Sequence, residues 1–199
     1  DVKVFIDYAH TPDALSKTIK YLKNIYGNNI SLVFGCGGER DQKKRSIMAK
    51  VANDNCKKVY ITDDNPRNEN PKKIRNTLLK YIKKNKTFNI GNRTVAIKKA
   101  IQNADPKEII LIAGKGHEEQ QIYKNRVLNI SDKEIINKIN IKRNFISKKK
   151  QNYHQNKLIL NKVLGKVSSV NFNGLSIDSR TIKKDNLFLA IKGKQNNGN

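Results

Sequence analysis

The sequence predicts an α/β fold in which a mostly parallel sheet carries helices on both faces. Short β-branched runs alternate with segments whose apolar residues recur at helical spacing. The strand-like runs cover residues 2–6, 30–34, 58–62 and 108–113, and the helical segments cover 11–26, 42–53, 71–84 and 93–103. Such alternation needs crossover connections, which favour parallel pairing. We therefore expect a Rossmann-like sheet.

Individual elements carry their own local signals. Ile109 to Ile112 form an unbroken apolar run, which is the clearest strand. Thr11 followed by Pro12 is a plausible helix start, with Thr11 as the N-cap. Residues 120–130 predict a hairpin with a turn near Asn125, and 131–141 predict a closing helix capped by Ser131, with Glu134 three residues on.

The character of the chain changes after Ile141. Residues 142–157 are polar and basic, without periodicity, and predict a linker. A new pattern occupies 158–199, with a short helix to Leu164 and strand-like runs at 174–178 and 187–191, too little to close a core. We expect a first domain at 1–141 and the truncated start of a second at 158–199. Because the sequence opens inside a strand without an initiator methionine, we expect a piece of a longer protein.

Net charge alone would suggest a nucleic-acid partner. The 199 residues hold 41 Lys and Arg against 17 Asp and Glu, a formal charge of +24. The excess is mostly lysine, is spread along the whole chain and accompanies abundant Asn and Ile, a pattern typical of AT-rich codon usage. We expect no specific nucleic-acid partner, and a basic nucleic-acid-binding module stays as an alternative.

Cysteine usage and hydropathy bear on the compartment. Cys36 and Cys56 fit neither a disulfide framework nor a zinc spacing and are expected to be reduced thiols. No apolar run approaches the roughly 18 residues of a membrane span, and no signal peptide is recognised. We therefore expect a cytoplasmic protein without a membrane partner.

Four polar loops each follow a predicted strand. They cover residues 7–12, 35–41, 63–67 and 114–118. Because the carboxyl ends of parallel strands share one edge of a sheet, these loops should converge in one crevice. Arg40 and Arg67 would serve carboxylates there, and Glu118 with a glycine-loop carbonyl would serve an ammonium. This inventory fits a free amino acid that bears more than one carboxylate.

Each loop also has a simpler interpretation. The run from Gly35 to Gly38 resembles a phosphate cradle, but Arg40 stands where a dinucleotide fingerprint needs a third glycine, and no Gly-Lys-Ser/Thr loop occurs. Asp7 at a strand end would more often stabilise a turn. His10 and His117 are too far apart in sequence to suggest a metal pair, so we predict no metal site.

Taken together, the motifs resemble those of a known family. Residues 7–15, 35–41 with Lys44 and Arg45, 63–67 and 113–118 have the order and spacing found in the C-terminal domain of the Mur ligases, most similarly in the branch that adds meso-diaminopimelate. The resemblance covers residues 1 to about 141.

The resemblance implies a step of peptidoglycan precursor synthesis. In that family ATP, with Mg²⁺, phosphorylates the D-glutamate carboxylate of UDP-MurNAc-L-Ala-D-Glu, and the amine of the amino acid displaces phosphate. A central ATPase domain does the phosphorylation, so these residues alone are expected to be inactive. The resemblance places Asp7 and His10 on the nucleotide side, and its diaminopimelate-binding residues are Arg40, Asp64, Asn65, Pro66, Arg67, Gly114 and Glu118. A noncatalytic amino-acid-binding domain is a further alternative.

The tail carries a second resemblance. Residues 175–181 and 186–193 are similar to the opening of a Mur ligase N-terminal domain, which binds the UDP part of the substrate. The usual Asp-Gly-His ending of this opening is replaced by Asn197-Gly198-Asn199. The order of the two domains implies a fusion of two ligases, and pathway order suggests the D-alanyl-D-alanine-adding ligase as the second. The residues expected near the uridine diphosphate are Ile177, Ser179, Lys194, Gln195 and Asn196.

Overall fold

The computed structural model describes residues 2–143 and two short segments, 174–176 and 186–188. The chain divides into two compact units, 1–146 and 147–199. The predicted short helix to Leu164, most of the predicted linker and the five residues expected near the uridine diphosphate lie outside the described residues.

A parallel sheet of five strands forms the centre of the first unit, as the sequence predicts. The strands are β1 Lys3–Asp7, β2 Ile30–Phe34, β3 Lys58–Ile61, β4 Thr87–Asn89 and β5 Ile109–Ala113; the helices between them are α1 Pro12–Tyr26, α2 Lys43–Asn55, α3 Pro71–Leu79 and α4 Arg93–Gln102. The order of the strands in the sheet is β1-β5-β2-β3-β4, and all four pairings are parallel.

Two hydrophobic cores cover the two faces of this sheet. Leu32 and Leu111 point to the side packed by α1, α2 and α3, whereas Val33 and Ile112 point to the side packed by α4 and by α5, which covers Asp132–Arg143. This division follows from the alternation of side chains along a strand. β2 and β5 are buried along their whole length, as strands covered on both faces must be.

Several local predictions are confirmed. The Thr11 hydroxyl accepts a hydrogen bond from the Ala14 N–H at 3.3 Å, with Pro12 in the first helical position. The hairpin forms from β6 Gln120–Tyr123 and β7 Arg126–Asn129. The closing helix α5 spans Asp132–Arg143, and its cap Ser131 accepts from the Glu134 N–H at 3.4 Å. The first two positions of the predicted linker, 142 and 143, are therefore helical.

The prediction from the sequence is wrong in the region between α3 and α4. The helix predicted to run to Lys84 ends at Leu79, and β4 was not predicted. Ile82 continues the helical spacing of apolar residues, but it reaches the core from a turn. β4 has only three residues, too few for a pattern, and Phe88 holds it by stacking on Tyr60 with ring centroids 4.6 Å apart.

In the second unit, β8 Gly174–Ser176 pairs in parallel with β9 Asn186–Phe188. Both strands overlap predicted strand-like runs. No helix in the described parts of the chain is long and apolar enough to cross a membrane.

Candidate functional site

A groove of about 790 Å³ opens beside the carboxyl ends of β3 and β5. Its walls come from the loops after these two strands, from the β6–β7 hairpin and from the start of α5. Its lining includes Asn65, Arg67, His117, Glu118, Ile122 and Glu134. The predicted convergence of loops at this edge is therefore seen for Asn65, Arg67 and Glu118.

The backbone and guanidinium of Arg67 are both held in place. Its φ is +52°, a left-handed value that is uncommon for a residue with a side chain. Its N–H donates to the Ile122 carbonyl at 3.0 Å, and Nη1 donates to the carbonyls of Gly38 at 2.8 Å and Asn65 at 3.3 Å. Within the described part of the chain Nη2 and Nε have no partner. The N–H donors of Nη2 and Nε in this rigid guanidinium are thus left for a ligand carboxylate.

Two close approaches shape the loops behind the groove. A Cβ on Gly38 would lie 1.8 Å from the Pro66 carbonyl oxygen, so only glycine fits there. Gly114 has a φ of +108°, and a Cβ there would lie 2.7 Å from Asp64 Oδ2. Asp64, Pro66 and Gly114 are buried and do not line the groove. They pack the two loops together.

A network of hydrogen bonds joins Asn65 to Glu118. Asn65 Nδ2 donates to Glu118 Oε2 at 2.9 Å, and Asn65 Oδ1 accepts from the Ile122 N–H at 3.0 Å. Lys115, which is fully buried, donates from Nζ to Glu118 Oε2 at 2.9 Å and to Asn65 Oδ1 at 3.3 Å. Glu118 Oε1 has no partner among the described residues and remains available to a cation.

The environment of Glu118 keeps it ionised. Partial burial would raise its pKa, but hydrogen bonds from Lys115 and Asn65 and the positive charge of Arg67 outweigh burial, and the pKa is lowered. The groove therefore presents a guanidinium and a carboxylate close together at neutral pH, which suits a ligand that carries both charges.

Arg40 stands apart from the other predicted contacts. It is exposed and does not line the groove. Its Cγ would lie 3.7 Å from a Cβ on Gly37, and Arg67 Nη1 would lie 3.1 Å from the same point. The two arginines thus flank Gly37, and no hydrogen bond holds the Arg40 side chain within the described residues.

Other charged residues of these loops have structural partners. Asp63 accepts from Arg75 and from the Tyr123 hydroxyl, which ties the loop after β3 to α3 and to the hairpin. Arg45 is buried and donates two hydrogen bonds to Glu69, at 2.8 and 2.9 Å.

Asp7 and His10 lie in the loop after β1, at the same edge of the sheet. Asp7 Oδ1 accepts from the Ala9 N–H at 2.6 Å, the turn role that its position favours, and the His10 Nδ1 contacts the Tyr8 carbonyl at 2.9 Å. The Tyr8 ring packs on His10 and on His117, with centroids 4.6 and 5.5 Å away. His117 therefore links this loop to the groove.

The sequence predicted no role in the site for two side chains at this edge, Lys115 and His117, and it predicted Glu134 only together with the Ser131 helix cap. Lys115 and His117 lie inside the predicted loop 114–118, so their position could be predicted but their partners could not. It also missed the buried pair of Arg93 and Asp132, joined at 2.7 and 2.8 Å, which fixes α5 against α4.

Both cysteines are buried free thiols, as expected. No group of three or more His, Cys, Asp or Glu side chains in the described residues could hold a metal ion.

A parallel α/β sheet with a charged groove at its carboxyl edge is typical of a ligand-binding domain. Within that class the chain belongs to the Mur ligase family, since the family model for the Mur ligase, glutamate ligase domain, matches residues 1–116. Membership does not favour the nucleic-acid alternative.

Individual relatives agree with this family. The UDP-N-acetylmuramoyl-L-alanyl-D-glutamate--2,6-diaminopimelate ligase of Buchnera aphidicola subsp. Schizaphis graminum is 49% identical over 138 residues, which are 69% of this chain and 28% of that protein. The ligase of the same name from Rickettsia montanensis is 47% identical over 140 residues, 69% of this chain and 29% of the relative. The chain thus spans less than a third of the length of these relatives.

A solved structure also matches. A UDP-N-acetylmuramoyl-L-alanyl-D-glutamate--2,6-diaminopimelate ligase superposes with a TM-score of 0.65 at 38% identity, covering 70% of this chain and 29% of that one. The first unit therefore has the α/β fold of a Mur ligase C-terminal domain.

Proposed function

We propose that this chain supplies the amino-acid-binding domain of an ATP-dependent ligase that adds meso-diaminopimelate to UDP-MurNAc-L-Ala-D-Glu. The observation that carries the proposal is the pairing of the half-free Arg67 fork with the ionised Glu118 in one groove. The names of the relatives support the choice of substrate.

The geometry suits the distal end of meso-diaminopimelate, which differs from lysine by one carboxylate. Arg67 would donate to that carboxylate from Nη2 and Nε, and Glu118 Oε1 would accept from the neighbouring ammonium. Lysine would leave Arg67 without its anion, a loss of roughly 2 to 5 kcal/mol. In the proposed site Arg40, beside Gly37, supplies a flanking positive charge. The buried residues Asp64, Pro66 and Gly114 contribute by packing the loops together.

ATP and Mg²⁺ belong in this proposal to a central ATPase domain of the same polypeptide. Asp7 and His10 would face the nucleotide, where Asp7 Oδ2 and His10 Nε2 have no partner in the described residues. The bound nucleotide supplies the phosphoryl group that activates the D-glutamate carboxylate. The amino acid bound in the groove would supply the amine that replaces phosphate.

We further propose a three-part organisation: an amino-acid-binding domain, predicted as 1–141, that ends with α5 at Arg143; a basic linker over the rest of the predicted 142–157; and the start of a UDP-substrate domain at 158–199. Ile177, Ser179, Lys194, Gln195 and Asn196 would serve that second domain. This order of domains implies a fusion of two ligases, which sequencing of the flanking DNA would test. We expect it to encode a Gly-Lys-Ser/Thr loop on each side. Absence of the upstream loop would favour a noncatalytic domain.

The substrate is tested with the complete polypeptide, ATP, Mg²⁺ and UDP-MurNAc-L-Ala-D-Glu, by measuring phosphate release with meso-diaminopimelate or L-lysine. We expect kcat/KM for lysine to be lower by about 30-fold or more, the lower end of the penalty above. Equal use of both amino acids would contradict the proposed selectivity. Phosphate release that needs no amino acid would contradict the proposed reaction.

A further inference from the structure

Lys115 is a lysine without any exposed surface, at the carboxyl edge of β5. A buried ammonium is costly unless its protons are all accepted. Here Nζ has three acceptors: Asn65 Oδ1, Glu118 Oε2 and the Gln120 carbonyl. Since an ammonium has three donors, no hydrogen is left for a ligand. Lys115 therefore acts on its neighbours and not on a bound molecule.

The acceptors come from two parts of the chain. Asn65 follows β3, whereas Glu118 and Gln120 lie three and five residues after Lys115, with Gln120 at the start of the hairpin. Asn65 Oδ1 is occupied twice, by Lys115 Nζ and by the Ile122 N–H, so the amide must turn Nδ2 toward Glu118. One ammonium thus fixes both the amide of Asn65 and the carboxylate of Glu118, with Glu118 Oε1 left without a partner in the described residues.

We propose that Lys115 is a positioning residue, which holds Asn65 and Glu118 in the orientation that binds the amino-acid substrate without contacting that substrate. The inference rests on the proposed function, because it assigns Lys115 to the same groove. It predicts that removing the ammonium weakens amino-acid binding far more than it slows the chemical step.

A charge effect accompanies the geometric one. Without Lys115, burial acts on Glu118 with less opposition, so the carboxylate takes up a proton at a higher pH than in the unchanged protein. The ionisable groups around Glu118 that bear on this comparison are Glu119 and His117 on its own loop, Arg67 after β3, Arg93 on α4 and Glu134 on α5.

The test compares Lys115→Met with the unchanged complete polypeptide, using Lys124→Met as the matched control. Lys124 is exposed in the hairpin turn. Lys115→Met is expected to raise KM for meso-diaminopimelate about 10- to 100-fold, the range for hydrogen bonds to charged groups. The kcat and the KM values for ATP and for the nucleotide substrate should stay within about 3-fold, and Lys124→Met should change none of them.

Two further readouts separate positioning from a merely structural role. As pH falls, KM for the amino acid should begin to rise at a higher pH in Lys115→Met than in the unchanged protein, because Glu118 is protonated more readily without Lys115. In the Glu118→Gln background, adding Lys115→Met should raise KM by less than about 3-fold, because the group it positions is already changed. Lys115→Gln, which keeps two N–H donors but no charge, replaces Lys115→Met if the latter does not fold, and should raise KM less.

The outcomes distinguish the two proposals. If the unchanged protein does not use meso-diaminopimelate, the proposed function fails. If it does, and Lys115→Met or Lys115→Gln folds with an unchanged KM, or shows additive effects with Glu118→Gln, the role of Lys115 is overturned. An equal rise in all three KM values would likewise overturn it and indicate general loosening of the domain.

Discussion

The two edges of the parallel sheet both hold buried charges, but they satisfy them differently. At the amino edge Glu108 is fully buried, and its carboxylate accepts from the Ser31 hydroxyl, from Lys58 at 3.1 Å and from the Asp105 N–H at 2.7 Å. Every bond is made within the chain. At the carboxyl edge Arg67 and Glu118 are each only partly engaged.

The difference teaches which charges serve the fold and which serve a ligand. A charge whose hydrogen-bonding capacity is used up inside the protein stabilises the protein. A charge that is rigidly held yet keeps unused donors or acceptors beside a groove is prepared for something that arrives from solution. Arg45 and Glu69 are instructive, because this pair lies at the carboxyl edge but is closed: both Glu69 carboxylate oxygens accept from Arg45. Among the described residues Arg45 Nε has no partner, but it is buried and does not line the groove.

The largest effect on activity should follow from removing the Arg67 guanidinium, which has unused hydrogen-bond donors. Arg67→Ala in the complete polypeptide is expected to lower kcat/KM for meso-diaminopimelate by about 30-fold to several thousand-fold, since a desolvated ion pair loses one partner. Arg67→Lys keeps the charge but not the fork and should recover only part of the loss. Steady-state kinetics with both amino acids measure this.

Arg126→Ala is the matched control for Arg67. Arg126 is exposed on β7 and stacks over the Tyr123 ring at 4.9 Å. Its removal should leave turnover unchanged. Unaltered kinetics in Arg67→Ala would remove Arg67 from the site and erase the distinction between the two edges.

The amino edge should respond in stability and not in activity. Glu108→Gln is expected to lower the free energy of unfolding by about 3 kcal/mol, because Lys58 loses a buried anionic partner. Turnover per folded molecule should not change. Urea unfolding and active-site-normalised kinetics provide the two readings.

Asp13→Asn serves as the control for Glu108→Gln, since Asp13 is in an exposed pair with Lys17 and should contribute under about 1 kcal/mol. A Glu108→Gln protein that is fully stable but impaired in turnover would mean that the closed network at the amino edge has a functional role.

The sequence predicted the sheet and the meeting of its loops because both follow from local patterns and one topological rule. Alternating strands and helices place the carboxyl ends together, and this brought Asn65, Arg67 and Glu118 to one groove. The partners of these residues were not predictable. The contact of Lys115 with Asn65 and the pairing of Arg93 with Asp132 depend on how segments far apart in the chain pack together, which no periodicity encodes.

Arg40 shows the limit of the same rule. It follows a glycine loop at the correct edge, yet its side chain is exposed outside the groove. The rule locates a loop at an edge, but the direction of each side chain depends on local backbone turns such as the φ of +54° at Glu39, just before Arg40.

The smallest predicted effect concerns the closed pair at the carboxyl edge. Hydrogen bonds from Arg45 lower the pKa of Glu69, burial opposes them, and the Glu39 N–H adds to the lowering. A carboxylate with a lowered folded-state pKa contributes its full stability above its unfolded pKa of about 4.3, and this contribution is lost as pH falls through the folded pKa.

Glu69→Gln should therefore cost about 1.5 kcal/mol at pH 7, the lower end of the usual range for hydrogen bonds to a charged group because Glu69 is partly exposed, and less at pH 3.5. Urea unfolding at both pH values, with Asp13→Asn alongside, measures the difference. Equal losses at the two pH values would show that the pair holds the loop through packing alone. A large fall in kcat/KM in Glu69→Gln, with stability unchanged, would show that Arg45 and Glu69 serve the ligand and not the fold.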